Sequence, residues 1–307
     1  TATYKFTASR HSTVNKTFSA FYNNRIITGK TGAAGEEELD ELLDMLLEQP
    51  EAARFICRKL YRFFVYYKID EQIEQNVIEP LAAIFRQNNY EIKPVLAALF
   101  KSAHFYNPLN IGCIIKSPVD FAVGMAREFN VKFPDATLYY ADTYSLWRYI
   151  LIDTGEIGQE LGYPPDVSGW PAYYQEPQFH QLWISSNSLP RRSKFSDEFV
   201  NQGYVKSGRK VFVDVLTYVA SLPDASDPTQ LIENIIRNIF MLDLPQSSKT
   251  LIKKEILLSG QESDHYWTSA WDNYLANPGS TTNKTIVQTR LKSLIQHLMK
   301  LPEYQLC

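Results

Sequence analysis

The feature that most constrains this chain is a proline pair, Pro164-Pro165, set in a sequence whose periodicity is otherwise helical. Two fixed φ angles and two missing N–H donors bar helix there, and the residue before each proline is pushed to extended backbone. The run around the pair reads Ile157-Gly158-Gln159-Glu160-Leu161-Gly162-Tyr163-Pro164-Pro165-Asp166-Val167-Ser168-Gly169-Trp170-Pro171. An aromatic stretch follows, then Leu182-Trp183-Ile184 on to Arg192. Residues 157–192 are therefore expected as one long Pro/Gly/aromatic loop. Its glycines permit turns and its prolines lower the entropy lost on ordering. Trp170 is expected to be largely buried, with its indole N–H on a backbone carbonyl.

The rest of the sequence reads as helices. Leu39, Leu42, Leu43, Leu46 and Leu47 recur at helical spacing after Gly35, behind an acidic first turn of Glu36, Glu37, Glu38 and Asp40. That turn is read as solvated and matched to the helix dipole. Pro50 opens a helix over 50–67, with Ala53, Ile56, Cys57, Leu60, Phe63, Phe64 and Tyr67 on one face and Arg54, Arg58 and Arg62 at i, i+4, i+8 on another. Helices are expected over 71–88 with Pro80 kinking it, 92–102, 118–130 with Ser117 as N-cap, and 136–152. After 195 come Val211-Phe212 with Val215, Leu216 and Val219; a helix begun by Asp227-Pro228; then 246–258, an aromatic-faced helix at 263–275, and a last one through Val287 to Leu298. The N-terminus differs. Residues 3–7 alternate as a short strand, and 17–28 reads as a second with a turn at Asn23-Asn24.

The expected fold is thus mainly α: a multi-helix globular array with a small N-terminal β-hairpin and the long loop at 157–192. The expected divisions are 1–35, a hairpin and Gly-rich connection; 36–195, a helical core with the loop; and 196–307, a C-terminal helical subdomain packed on it.

Composition excludes several classes. At 45% hydrophobic and 21% charged the 307 residues are not a disordered chain. A net charge of −3 gives no reason to expect nucleic acid. No run of about 18 apolar residues suits a transmembrane helix, and no basic-then-apolar leader opens the sequence. Cys57, Cys113 and Cys307 are too few for a disulfide framework, though one bridge is open to them.

No dinucleotide fingerprint, P-loop, HExxH or GxSxG marks a catalytic class. The five histidines are scattered, with no pair at i, i+4, so no metal site and no cofactor are expected. The best candidate is the loop. Tyr163, Trp170, Tyr173, Tyr174, Phe179 and Trp183 are suited to line a groove that stacks a sugar or aromatic ligand, with Gln159, Asp166 and His180 as polar partners. Trp170 and Trp183 also suit core pegs that hold the loop onto the helices, and large aromatics more often serve packing than recognition. The Arg54 stripe suits an anion or, alternatively, acids such as Glu51.

Several stretches together resemble a known family. They are His11 to Lys16-Thr17, Pro50-Glu51-Ala52-Ala53-Arg54-Phe55, Lys59-Leu60-Tyr61-Arg62-Phe63-Phe64-Val65, Ile115-Lys116-Ser117-Pro118-Val119, Gly158-Gln159, Pro164 to Pro171 and Leu182-Trp183-Ile184. The chain resembles the C-terminal part of the domain of unknown function 1800 family, in its Bacteroidetes form. The resemblance implies an exported protein, periplasmic or at the cell surface, whose relatives extend further at the N-terminus. It sets Lys16, Lys59, Lys116 and Arg192 inside matched motifs as candidates for an anion site. Ser12 stands where members have Asp, and Ser185 and Asn187 where Asn and an acid are common. Two functions follow as expectations: a binding or scaffold module with a glycan or protein partner, or a hydrolase of sulfated or phosphorylated glycans with part of its site upstream.

Overall fold

Proline in the first turn, or an acceptor side chain just before it, starts many of the helices here. The computed structural model describes residues 4–307, mainly as α-helix with two small antiparallel sheets. Contacts divide the chain into two compact units, one ending at Asn110 and one starting at Ile111.

In the first unit, β1 (Lys16–Thr17) pairs with β2 (Ile26–Ile27), Lys16 opposite Ile27. Asn23 and Asn24 turn the chain in the left-handed region, as the sequence suggests. The strand expected over 3–7 is absent among its described residues, 4–7, where the chain runs on into a 3-10 turn at Ala8–Arg10. No partner strand lies beside it among the described residues, and alternation alone does not make a strand.

Then come α1 (Glu37–Leu47), α2 (Pro50–Phe64), α3 (Glu71–Ile73), α4 (Glu79–Gln87) and α5 (Ile92–Phe100). A π-helical turn, Glu74–Ile78, joins α3 to α4 directly before Pro80. A widened turn tolerates the N–H that proline lacks, so the expected kink takes this form. The unit's core is Ala53, Cys57 and Tyr61 of α2 against Leu81, Ala82 and Phe85 of α4 and Val95 and Leu99 of α5. Phe63 is exposed, and Tyr61 takes the inward position, its hydroxyl 3.0 Å from His104 Nε2. α1 departs further from expectation. Leu39, Leu43, Leu46 and Leu47 are exposed, and the helix buries Glu38 and Met45 instead.

The second unit holds α6 (Pro118–Glu128), α7 (Tyr140–Ile157), α8 (Pro171–Tyr174), α9 (Ser188–Asn201), β3 (Tyr204–Lys206), β4 (Arg209–Val211), α10 (Val215–Ala220), α11 (Pro228–Ile239), α12 (Gln246–Ile252), α13 (His265–Ala276) and α14 (Thr281–Lys300). Ser117 and Asp120 close a reciprocal capping box on α6. Asp227 caps α11 by accepting from the N–H groups of Thr229 and Gln230. The last helix is the axis of the core: α14 buries Val287, Leu291, Leu294, Ile295, Leu298 and Met299 and touches α9, α10 and α13. Position 195/196 falls inside α9, and Phe195 and Phe199 share one core with Phe121, Leu146 and Leu291.

Val211 belongs to a strand rather than to the helix expected there. β3 and β4 form a hairpin, Tyr204 opposite Val211, turned by Ser207-Gly208 with both φ angles positive. A Ser-Gly pair between two short Tyr/Val/Lys/Arg stretches is a two-residue hairpin signal. The helical spacing of the following valines hid it. All three cysteines are free thiols, and burial pushes that of Cys57 up to about 11. No helix among the described residues is long and apolar enough to cross a membrane.

Candidate functional site

The largest of three described cavities is a groove of about 610 Å³ between α6 and α7. Helical spacing builds both walls. Val119, Val123 and Ala126 follow at i, i+4, i+7 on α6, and Tyr144, Trp147, Arg148, Leu151 and Thr154 line one face of α7. Phe133 and Ile150 join the wall, and Leu161 of the loop is also part of the lining. The Thr154 hydroxyl donates to the Leu151 carbonyl at 2.9 Å, which commits its proton inside the helix. Tyr144, Trp147, Val123 and Leu161 stay between 39% and 61% exposed. Such large apolar side chains left open around a concavity mark an interaction site rather than a core. Arg148 is the one charged lining residue; it is exposed and makes no ion pair among the described residues. The sequence carried one signal for this groove: Tyr140, Tyr144 and Trp147 recur at helical spacing beside the Leu146, Ile150 face that packs inward.

The loop candidates fall into separate groups. Gln159 is 3% exposed; its side-chain oxygen accepts from the Val119 N–H at 3.1 Å and its amide donates to the Tyr173 hydroxyl at 3.1 Å. Tyr173 in turn meets Trp170 and Trp183 edge to face, at 6.4 and 5.5 Å. Trp183 is buried and does peg the loop. Trp170 is only half-buried, and no hydrogen bond of its indole occurs among the described residues. That corrects the expectation of a carbonyl hydrogen bond for the Trp170 indole. The chain from Glu160 to Ser168 lies on the surface, with Val167 at its tip fully exposed. Order there comes from Asp166, which accepts from the Ser168 N–H at 2.7 Å and the Tyr174 hydroxyl at 2.6 Å. His180 Nδ1 accepts from the Ile115 N–H at 3.1 Å, and burial lowers its pKa, favouring the neutral ring.

The basic candidates do not converge on a cavity. Arg192 is fully buried, donating to the Lys116 carbonyl at 2.7 Å and to Gln305 Oε1 at 3.4 Å, with its guanidinium over Phe121. Burial pulls its pKa down to about 10, against the pull of Asp120. Lys116, 5% exposed, lies over the Tyr304 ring and 3.5 Å from Glu128, whose other oxygen accepts from the Tyr304 hydroxyl at 2.7 Å. These groups tie the start of α6 to α9 and to the chain's last residues. Arg54 pairs with Glu79 at 2.6 Å, its neighbour Arg58 bridges Glu51 and Glu74, and Lys59 lies over Phe55.

Lys16 lines a second pocket, about 280 Å³, with Phe6, His11, Phe18 and Glu38. Glu38, 6% exposed, is the residue the sequence reading set among solvated acids. It accepts from His11 Nε2 at 3.0 Å and from the Lys30 N–H at 2.5 Å, and it pairs with Lys16. Gly35 makes room: a Cβ there meets the His11 ring at 2.6 Å. Hydrogen bonds from Lys16, then His11, then the Lys30 backbone hold the Glu38 carboxyl down to about 2, from an ordinary 4.5. A depressed carboxylate pKa gives stability that is complete above about 4.5 and drains away as pH falls toward 2. Amide protection at 26–30, taken relative to the intrinsic exchange rate at each pH, is expected to fall through that window in the native chain. In Glu38→Gln it should be low already at pH 7; unchanged protection in that variant would contradict the tie.

A family model described as Protein of unknown function (DUF1800) matches residues 1–306. No curated protein and no solved structure matches the chain.

Proposed function

We propose that this chain, which belongs to the DUF1800 family of proteins of unknown function, is a binding module whose ligand lies in the α6–α7 groove. The observation that carries this reading is Trp147, 43% exposed on the wall of a concavity of ligand size. A glycan needs several polar groups beside its aromatic platform, and this lining offers Arg148 and the Tyr144 hydroxyl. An apolar-bodied ligand suits it better than the sugar expected from the loop. A periplasmic or surface location belongs to the proposal, on the family resemblance, and cell fractionation checks it.

The test uses anilinonaphthalene sulfonate, a fluorescent probe with an apolar body. Saturable one-to-one binding to the folded chain is expected, at least tenfold weaker in Trp147→Asp with unchanged circular dichroism. Equal binding by the variant would move the site elsewhere.

Hydrolysis is the second reading, and one observation favours it. Glu38 holds His11 by Nε2 at the edge of a pocket, the way a carboxylate orients a general base. Turnover of any sulfate or phosphate ester that disappears in His11→Asn would support it, and identical turnover in both would remove it.

A further inference from the structure

We infer that the groove takes a single amphiphile, an apolar chain or ring body carrying one anionic head, with a long-chain carboxylate as its simplest form. This rests on the reading of the groove as a ligand site and names the chemistry of its occupant. The walls are aliphatic and aromatic from Val119 to Trp147, and the lining contains no acid. Its single charge is the Arg148 guanidinium, which is exposed and unpaired among the described residues. Arg127, also exposed and unpaired there, lies i+4 from Val123 on α6 and adds a second cation to the same side. Two unpaired guanidiniums beside an acid-free groove are not a general trend in a chain of net charge −3. The other cations lining the described cavities are three lysines, and all are paired: Lys16 with Glu38, Lys249 with Glu233 and Asp243, Lys253 with Asp264.

The polarity of the groove sets the ligand's shape. Its apolar wall excludes a ligand polar along its length, since each buried polar group would lose its water. Arg148 sits where solvent still reaches it, so the head stays partly hydrated while the body is covered. A guanidinium matches a carboxylate or other planar oxyanion in a two-pronged geometry, which a hydroxyl cannot reproduce. A volume of about 610 Å³ lies within the ordinary range for pockets that cover most of a small molecule.

The experiment is calorimetric titration of the whole chain with octanoate, decanoate and dodecanoate below their micelle concentrations, and with the matching alcohols. Affinity is expected to rise about fourfold per methylene in both series. Carboxylates should exceed alcohols of equal length by about three- to fivefold, the scale of a solvent-exposed ion pair. That preference should fall in Arg148→Ala and vanish in the double variant Arg127→Ala/Arg148→Ala while the chain-length slope persists. Equal affinity for carboxylate and alcohol in the native chain would overturn the anionic head and leave the groove as a site for neutral apolar ligands. No binding by either series, with the dye also unbound, would overturn the groove reading itself. A dimer by light scattering that decanoate fails to dissociate would show a second copy covering the groove and would also overturn the inference.

Discussion

Trp267→Ala is expected to lower the free energy of unfolding by about 3–5 kcal/mol, and Trp170→Ala by only about 1 kcal/mol. Trp267 is fully buried on α13, stacks on Trp271 at 5.6 Å and donates its indole N–H to the Ala225 carbonyl at 2.8 Å. Truncation removes one of the two tryptophans of that core, opens a cavity beside Trp271 and strands a buried acceptor. Trp170 is less buried than Trp267, meets Tyr173 edge to face and has no indole hydrogen bond among the described residues. Urea unfolding of the second unit checks both, read from a probe in that unit because the two compact units need not unfold together. A Trp170 variant as unstable as the Trp267 variant would mean that the loop is a structural peg after all.

Arg192→Met is expected to cost about 2 kcal/mol, and Arg192→Lys about as much. The guanidinium supplies two acceptors, the Lys116 carbonyl and Gln305 Oε1, from one buried position. Each acceptor left without a donor costs about 1–3 kcal/mol. Relief from burying a cation offsets part of that, since replacing buried charge by packed apolar volume is often neutral or favourable. Lysine keeps the charge but cannot span both acceptors with a planar fork, so it is no conservative change here. Denaturation midpoints with unchanged slope check the pair. A fully stable Arg192→Met would show that the tie contributes geometry and not stability.

The helices were legible wherever period and capping agreed. Asp227-Pro228 and Ser117-Pro118 marked their helix starts to the residue, because local hydrogen bonds within the first turn decide them. The family was legible in the motifs, whose residues include Lys116 and Trp183. What those residues do was not. Lys116 and Arg192 stood as candidates for an anion site, yet a chain segment 113 residues downstream of Arg192 covers them, and no local pattern reveals such a partner. Glu38 was hidden for the same reason: its partners come from His11, Lys16 and Lys30, and only the folded N-terminus brings them to it. The groove was the reverse case. Tyr144 and Trp147 sat at helical spacing and read as ordinary helix, because a periodic pattern says which residues share a face but not whether another element covers it.

The five tryptophans give a direct test of where ligand binds. In an NMR titration with decanoate, the indole N–H signals report on five places at once. Binding in the α6–α7 groove should shift the Trp147 indole strongly. Those of Trp267 and Trp271, buried in the second unit's core, should stay in place. Movement of the Trp170 and Trp183 signals with Trp147 unchanged would contradict the groove and return the site to the loop at 157–192.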